Sequence, residues 1–536
     1  MKVADFFCGG GGFSEGFRQA GFEIVFAVDK WAPAVNTYKG NKPGVNVVLD
    51  DVIRISLLPD EEFEALVPDS EVIIGSPPCQ SFSHSNKSGM ADKSLGIKLI
   101  EAYLRIIARK KYKPNSILRY WILENVPAVK NYIKEEYSAA DLGLEGDYTL
   151  RPHDGAAGKY NAKYFGAPTN RERYLCGEFP EPVSICTDES VITIRMVQEA
   201  LGNPQNRRHD AVTDINYPGL VIPRNEITDH HYIYELAEFE FETARRLKQD
   251  KGYMGKMSFP ENIDKPSRTV MATMSSSSRE SMIFEFARGR YRLPTVREAA
   301  CFMSFPIDYW FYGDSKATKH TLVGNAVPPK MSYALAVAIA NAENVPILNH
   351  YPQIYHDKSI PFFDLNGSEF PIKTEKTKRA VSKFKYHIPY MIINAYRVEL
   401  TNYHSDFENG VFRWNAEIHY GQGKNKAKLF TPAIVLDDIP EQYHVRICNF
   451  VDDMRDSMMS MFEFQQAFCM TSQQRRNLGK AGPYELLDSI KKFIDDSMCH
   501  DEMNCMSPLK EEPYSLPLAT LIGYYILSSL INCMGG

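Results

Sequence analysis

The feature that most constrains the fold is a cluster of four consecutive glycines, Gly9–Gly12, near the N-terminus. The apolar run Lys2–Phe7 before it predicts a strand, and Ser14–Ala20 after it predicts a helix. A glycine loop in this position lets a ligand approach the backbone and the helix N-terminus. The dinucleotide fingerprint needs a further glycine where Ser14 or Glu15 stands. The pyrophosphate pattern therefore fails, and for the cluster alone a plain tight turn is an equal interpretation.

Three further apolar runs predict strands that are interleaved with helical segments: Ile24–Val28, Val72–Ile74 and Tyr120–Leu123. This alternation predicts an α/β fold with a parallel sheet covered on both faces. Ligands of such sheets bind outside the carboxyl ends of the strands. The residues expected to converge there are Gly9–Gly12, Asp29, Cys79 and Glu124. Because the Asp29 carboxylate can accept the two hydroxyls of a ribose, the pattern favours a nucleoside-bearing cofactor without pyrophosphate.

A cysteine and a glutamate follow two of the predicted strands. Cys79 stands in GSPPCQSFS, where a rigid proline turn presents it near backbone and helix dipoles that lower the pKa of a thiol. The alternative for Cys79 is a buried structural cysteine. Glu124 ends its strand in WILENV, either as a functional acid or as an exposed strand cap. Together they suit covalent attack on an electron-poor ring, assisted by proton donation.

Six segments occur in a recognisable order: DFFCGGGGF, GSPPCQSFS, LENV, FGAPTNRERY, RLPTVREAACFMSFP and VGNAVPP. Together they resemble the ordered motifs of the C5-cytosine DNA methyltransferase family, of the bacterial restriction–modification type, across residues 1–345. The resemblance implies a Rossmann-like, S-adenosylmethionine-dependent sheet with an inserted target-recognition domain. It also implies DNA (cytosine-5-)-methyltransferase activity on double-stranded DNA, with S-adenosyl-L-methionine as cofactor. Thr169 and Met303 depart from the family pattern, which usually has glutamine there, and this puts local hydrogen bonding in doubt.

The resemblance also implies catalytic roles. The target cytosine is flipped out of the duplex, because its C5 and C6 cannot be reached inside the stack. Cys79 would add to C6 while Glu124 hydrogen-bonds the ring and supports protonation at N3. Arg173 would hold the O2 of the base, with Arg171 as its companion. The alternative for these two arginines is a solvated charge run.

Eight residues are implied as contacts of the cofactor: Phe7, Gly9, Gly11, Gly12, Asp29, Asp51, Pro78 and Asn325. By the resemblance, Phe7 contacts the adenine ring and Asp29 contacts the ribose. Asp51 would meet the adenine amine, and Asn325 would complete the pocket.

Five residues are predicted to contact DNA: Ser83, Ser85, Lys87, Arg268 and Arg279. The first three lie in Ser81–Leu99, which matches the mobile loop that closes over flipped DNA in the family. The two arginines lie in residues 181–290, where the family keeps its variable target-recognition segment. Guanidinium groups suit base edges, although a plain loop-rich insert is the alternative for this segment.

The predicted division of the chain has three parts. Residues 1–180 and 291–345 form the catalytic domain around the recognition segment, and residues 346–536 form an appended α+β domain of unknown role. Residues 516–534 are apolar, but their proline, glycine, tyrosine and asparagine residues favour a docking helix over a membrane span.

Composition and cysteine usage limit the remaining possibilities. The net charge of −6 excludes a histone-like polycation, although a local basic cleft on an acidic protein can bind DNA. Ten scattered cysteines and the lack of a visible secretory signal predict a protein of a reducing compartment, the cytoplasm, and the family resemblance implies a bacterial enzyme. Cys499, His500 and Cys505 form a loose trio without a fourth ligand, so no metal site is predicted.

Three other functions are weighed at this point. An RNA cytosine-5 methyltransferase is disfavoured by the 110 residues of the recognition segment. A catalytically inactive DNA-binding relative is disfavoured by the intact Cys79, Glu124 and Arg173. A dinucleotide oxidoreductase is disfavoured by the glycine spacing. The family context suggests a restriction endonuclease acting on the same site as a partner.

Overall fold

The structure is a computed structural model that describes residues 1–79, 82, 93–250, 257–421, 428–510 and 514–534. Its contacts divide the chain into two compact units. The first unit comprises residues 1–235 and 260–371, and the second comprises residues 236–259 and 372–536. The division into catalytic, recognition and C-terminal parts is a separate matter and stays a prediction.

The first unit is built on one large sheet. Its strands are β1 (Lys2–Phe6), β2 (Glu23–Asp29), β3 (Asn46–Leu49), β4 (Val72–Gly75), β5 (Tyr120–Asn125), β6 (Gly158–Asn161) and β7 (Glu172–Glu178). Their order is β3-β2-β1-β4-β5-β7-β6. β1 to β5 are parallel, whereas β7 is antiparallel to both β5 and β6. The Rossmann-like α/β prediction is confirmed, but the expectation of a wholly parallel sheet is wrong at this edge. β6 and β7 follow each other without a crossover helix, and such a short connection joins antiparallel strands.

Helices cover both faces of this sheet, because its strands are apolar on both sides. Trp121 and Leu123 of β5 share one buried cluster with Tyr103, whereas Ile122 shares another with Phe17 and Leu335. The helices of the unit are Gly12–Gln19, Ala32–Asn41, Val52–Ser56, Asp60–Leu66, Ser94–Lys111, Ile194–Leu201, Val296–Phe302, Lys316–Asn325 and Pro329–Ala342. Its short strands are Tyr137–Ser138, Thr149–Leu150, Thr169–Asn170, Ala211–Thr213, Val221–Pro223, Ser267–Arg268, Phe284–Ala287 and Arg290–Arg292.

The segment after residue 345 still belongs to the first unit as far as residue 371. Arg18 Nη1 donates to the Pro352 carbonyl oxygen at 3.0 Å, and the Tyr351 hydroxyl donates to Asp308 at 2.9 Å. Asp364 accepts the backbone N–H of Asp229 at 2.8 Å. This segment therefore completes the packing of the first unit.

A chain ending at residue 371 should be more stable than one ending at residue 345. The shorter chain loses at least three hydrogen bonds that the segment makes, each worth ~1 kcal/mol, so we expect a loss of about 3 kcal/mol or more. Thermal unfolding of the two truncated chains measures this difference. Both chains lack residues 372–536, so the effect of removing these residues is the same in both and cancels in the comparison of their unfolding temperatures. Equal unfolding temperatures would contradict the assignment of residues 346–371 to the first unit.

The second unit is an α+β arrangement. Its antiparallel sheet has the order β8 (Lys385–His387), β9 (Tyr396–Thr401), β10 (Asn415–Tyr420) and β11 (Lys428–Phe430). Its helices are Glu238–Gln249, His444–Arg455, Met461–Cys469, Ser472–Arg476, Pro483–Ser497, His500–Asn504 and Leu518–Cys533, and a hairpin joins Met506–Pro508 to Ser515–Pro517. The predicted docking helix is confirmed: Leu521, Ile522 and Leu527 of Leu518–Cys533 are fully buried in the core of this unit. In the described part of the chain, no helix has the length and apolar character needed to cross a membrane.

Helix Glu238–Gln249 belongs to the second unit although its sequence lies within residues 181–290. Arg246 forms an ion pair with Asp488 at 2.7 Å. Asp250, at the end of the helix, accepts the Tyr386 hydroxyl at 2.8 Å. The second unit is therefore assembled from two separate stretches of sequence.

Candidate active site

The glycine loop connects β1 to helix Gly12–Gln19 at the carboxyl end of the sheet. Phe7, Gly9 and Gly11 have φ angles of 56°, 51° and 81°, in the region that favours glycine. A Cβ on Gly12 would lie 2.3 Å from the Val327 carbonyl oxygen. The N-cap residue Gly11 makes no side-chain hydrogen bond to the first turn of the helix, so the N–H groups of that turn receive no cap from it.

Gly12→Ala should destabilise the protein by about 1–3 kcal/mol, because the added methyl group overpacks against the Val327 carbonyl. Gly10→Ala is the matched control: its added Cβ has its nearest contact at 3.6 Å, and Gly10 does not have a positive φ. Thermal unfolding of both variants tests this difference. If Gly12→Ala unfolds at the same temperature as Gly10→Ala, the close approach of the two backbones is wrong.

A buried lysine and a buried tyrosine hold the glycine loop by hydrogen bonds to its carbonyl oxygens. Lys42 Nζ donates to the Gly11 carbonyl oxygen at 3.3 Å and to the Tyr309 hydroxyl at 2.9 Å. The Tyr309 hydroxyl donates to the Gly10 carbonyl oxygen at 2.7 Å. Lys42 is also ion-paired with Glu15 at 3.2 Å. Sequence reasoning missed this support, because no local pattern connects residues that are 267 positions apart.

Two carboxylates lie at the ends of the strands beside the loop. The Gly9 N–H donates to Asp29 Oδ2 at 2.9 Å, and the Trp31 N–H donates to Asp29 Oδ1 at 2.8 Å. Burial raises the pKa of Asp29, although these two backbone hydrogen bonds lower it. Asp51 caps helix Val52–Ser56 by accepting the Ile53 N–H at 2.8 Å. Each carboxylate oxygen keeps a second lone pair with which it can bind a ligand.

The other residues implied as cofactor contacts lie at the same edge or near it. Asn325 is exposed at the end of helix Lys316–Asn325. Ala326 and Val327, which follow it, pack against Gly12. Pro78 is exposed in the turn after β4. The cofactor roles of these residues stay predictions.

Glu124 lies at the carboxyl end of β5 and is 3% exposed. The Ser76 hydroxyl donates to Glu124 Oε2 at 2.5 Å, and Arg173 Nε lies 3.0 Å from Glu124 Oε1. The direction of β7 explains this contact, since β7 runs antiparallel to β5 and therefore begins beside the residue at which β5 ends. Sequence reasoning missed Ser76, although its place directly after an apolar strand is a usable signal.

Arg171 lies next to this pair and is also buried. Its Nη1 donates to the Val270 carbonyl oxygen at 3.3 Å, and its Nη2 donates to the Ala326 carbonyl oxygen at 3.0 Å. Burial and the charge of Arg173 lower the pKa of Arg171 to about 9, so it remains a cation at neutral pH. Within the described ranges, Arg171 Nε is buried without a hydrogen-bond partner, and Glu124 Oε1 has its ion-pair contact with Arg173 Nε.

Cys79 lies in the loop after β4. The Asn125 side-chain amide donates to the Pro77 carbonyl oxygen at 2.9 Å, and the Phe82 N–H donates to the Cys79 carbonyl oxygen at 2.9 Å. Burial raises the pKa of the Cys79 thiol; the charge of Arg173 lowers it, and that of Glu124 raises it. The predicted lowering of this pKa is therefore wrong, because the cost of burying the thiolate exceeds the help from the arginine.

The alkylation rate of Cys79 should keep rising with pH after that of free glutathione has levelled off, because burial raises the pKa of the Cys79 thiol. Only the thiolate reacts, and a raised pKa leaves less thiolate at every pH below it. Brief iodoacetamide treatment from neutral to alkaline pH, followed by peptide mapping, measures Cys79 and the added glutathione in one sample. Arg173→Gln should move the Cys79 profile to higher pH, because it removes a charge that lowers the pKa. A Cys79 profile that levels off before that of glutathione would contradict this result.

The predicted DNA contacts have different outcomes. Ser83, Ser85 and Lys87 lie outside the described residues. The predicted loop Ser81–Leu99 is wrong at its end, because helix Ser94–Lys111 begins within it. This helix packs an apolar face against the sheet.

The two candidate base readers lie in the first unit. Arg268 Nη2 is ion-paired with Glu261 Oε1 at 2.7 Å, and its Nε donates to Glu261 Oε2 at 3.1 Å. Arg279 is half-buried. The Thr169 hydroxyl, where the family usually has glutamine, donates to the Arg268 carbonyl oxygen at 3.2 Å. The DNA-reading roles stay predictions.

Comparison with known proteins decides the family. Residues 1–341 match the family described as C-5 cytosine-specific DNA methylase. The chain belongs to this family. Among curated relatives, the type II methyltransferase M.MthTI of Methanothermobacter thermautotrophicus is 28% identical over 63% of this chain and 97% of its own length. The type II methyltransferase M.HgiDI of Herpetosiphon aurantiacus is 28% identical over 65% of this chain and 96% of its own length. The solved structure of S. pombe Dnmt2 methyltransferase is 17% identical, with a TM-score of 0.40 over 64% of this chain and 99% of that chain.

Proposed function

We propose that the protein transfers a methyl group from S-adenosyl-L-methionine to C5 of a flipped-out cytosine in a specific duplex DNA sequence. The observation that carries the proposal is the buried polar cluster at the strand ends: Glu124 Oε1 lies 3.0 Å from Arg173 Nε, and the buried Arg171 Nε has no hydrogen-bond partner within the described ranges. Buried polar groups are almost always paired, so Arg171 Nε favours a polar ligand beside Cys79. A cytosine ring offers N3, N4 and O2 to such groups.

The Cys79 thiolate adds to C6, which forms an S–C bond and moves the ring electrons towards C5 and N3. Glu124 supports the proton at N3, and Arg173 and Arg171 hold O2. The bound cofactor supplies an electrophilic methyl group to C5. Loss of the C5 proton to a base then breaks the S–C bond and releases the Cys79 thiolate.

The residues at the cofactor position fit a nucleoside with a positively charged sulfonium. The N-terminus of helix Gly12–Gln19, which has no side-chain cap from Gly11, suits a carboxylate, and Asp29 suits a ribose. Phe7 and Asp51 would hold the adenine, while Gly9 and Gly11 let the ligand approach the backbone. These assignments rest on the family resemblance and on the convergence of the strand ends.

We further propose that residues 181–290 read the target sequence. Arg268 already has a carboxylate partner, so base reading by Arg268 requires an exchange of that partner. Ser83, Ser85 and Lys87 would contact phosphates, and Arg279 would contact a base edge. A restriction endonuclease for the same site and a cytoplasmic location complete this proposal.

Bisulfite sequencing of DNA and total RNA from cells expressing the chain tests the proposed function. The expected result is 5-methylcytosine in one short DNA sequence, absent from cells that express Cys79→Ser. Methylation confined to RNA would favour the RNA cytosine-5 methyltransferase. A lack of methylation in both, with DNA binding intact, would favour the inactive DNA-binding relative.

A further inference from the structure

One face of the sheet in the second unit is apolar and the other is charged. Glu399 of β9 is directly opposite Glu417 of β10, and Arg397 is opposite His419. Opposed residues share a face, so these four side chains lie on the same side. Val398 and Ile418 point to the other face, where they join the core. The charged face is not simply a solvated surface, because Glu399, Glu417 and His419 are 5%, 4% and 8% exposed.

Three ligand-type atoms converge on this face. His419 Nε2 lies 2.9 Å from Glu399 Oε2 and 3.1 Å from Glu417 Oε2. Among the residues that the structure describes, Glu399, Glu417 and His419 form a group of potential metal ligands, because one ligand atom of each lies within 4.8 Å of the other two. Sequence reasoning missed it, although Glu and His two residues apart on a strand are a usable signal.

The protons available cannot satisfy these contacts. Lys385 Nζ lies 3.1 Å from His419 Nε2, on which two carboxylate oxygens also converge. Nε2 carries either one proton or one lone pair. If Nε2 is protonated, its N–H faces the ammonium of Lys385, which has no lone pair to accept it. If Nε2 is unprotonated, its lone pair faces the lone pairs of both carboxylates, and these groups repel each other. In addition, Glu399 Oε2 and Glu417 Oε2 compete for the same two nitrogens, because each oxygen lies within 3.4 Å of both His419 Nε2 and Lys385 Nζ.

A divalent cation would resolve this conflict, because it accepts all three lone pairs at once. With metal–ligand bonds of ~2.1 Å, neighbouring ligands at right angles lie about 3.0 Å apart, which agrees with the 2.9 and 3.1 Å observed. Lys385 Nζ is 3.1 Å from Glu399 and 3.4 Å from Glu417. It competes for the position through a long, partly exposed side chain that can withdraw.

We propose that Glu399, Glu417 and His419 form a binding site for a first-row divalent cation in the second unit. Two carboxylates and one imidazole are a donor set that such ions accept. His404 and Arg397 support the carboxylates: His404 Nε2 lies 3.1 Å from Glu417 Oε1, and Arg397 Nε donates to Glu399 Oε1 at 2.5 Å. The site is independent of the proposed methyl transfer.

Mn²⁺ binding to the full-length, chelator-treated protein tests the site. Mn²⁺ is the probe because it prefers oxygen and imidazole to the exposed thiols elsewhere in the chain. We expect one tight ion per chain in electron paramagnetic resonance titrations, with a ¹⁴N coupling from an imidazole. Glu399→Gln and Glu417→Gln should weaken binding by at least ~10-fold, and His419→Gln should remove the nitrogen coupling. Glu408→Gln, an exposed acid of the same unit, is the matched control and should bind as wild type.

Lys385→Ala separates the cation site from a purely structural ion-pair network. If Lys385 competes with the cation, the variant should bind Mn²⁺ at least as tightly as wild type, and Mn²⁺ should restore its unfolding temperature. A destabilised variant that Mn²⁺ does not stabilise overturns the proposal. So does a wild-type protein without a tight Mn²⁺ site, or one whose site is unchanged in Glu399→Gln and His419→Gln.

Discussion

Cys79→Ser should lower the rate of methyl transfer by roughly 10⁴-fold or more, the scale on which loss of a catalytic nucleophile acts. A serine hydroxyl is not ionised at neutral pH and needs a dedicated base. Glu124, the nearby carboxylate, is already engaged by Ser76 and Arg173. Transfer of a labelled methyl group from S-adenosyl-L-methionine to unmethylated genomic DNA measures the rate. DNA binding should persist, because phosphate contacts carry most of that affinity.

Cys448→Ser, which changes an exposed cysteine, is the matched control and should retain full activity. A duplex containing 5-fluorocytosine adds a direct readout, because fluorine cannot leave as a proton does and the adduct accumulates. The adduct should form with the wild type and with Cys448→Ser only. A Cys79→Ser variant that methylates DNA at a comparable rate would contradict the mechanism.

Glu124→Gln should slow methyl transfer by about 10²–10⁴-fold, the usual contribution of a general acid. The amide keeps a hydrogen bond to the base but does not supply the proton in the same way. Cofactor affinity should be unchanged, since the contacts of Glu124 are with Ser76 and Arg173 and not with the glycine loop. Single-turnover kinetics and calorimetric titration of the cofactor measure the two quantities separately.

Glu172→Gln is the control for this variant, because Glu172 is exposed beside Arg173. It should leave the rate within about twofold of the wild type, as expected for a surface substitution that changes no catalytic contact. A large loss of cofactor affinity in Glu124→Gln, with normal chemistry, would instead place Glu124 in the cofactor site.

The parts of the fold that depend on local pattern were predictable. Apolar runs bounded by glycine, proline and acidic residues marked β1, β2, β4 and β5, and strand topology brought Cys79 near Glu124. The direction of β7 was not predictable, because nothing in its residues distinguishes a parallel from an antiparallel partner. The raised pKa of Cys79 was also out of reach, since it depends on burial by residues distant in sequence. Helix Glu238–Gln249 was placed by long-range packing alone.

The discontinuity of the second unit has a consequence for how the chain is made. Every residue of the first unit has been synthesised once residue 371 is joined, but helix Glu238–Gln249 must wait for partners such as Asp488 and Tyr386. The second unit closes only when Leu518–Cys533, whose apolar side chains fill its core, has left the ribosome. The second unit is therefore completed after the first. Joining a separate domain after residue 371 would not by itself produce the second unit, because helix Glu238–Gln249 of this unit lies within the sequence of the first unit.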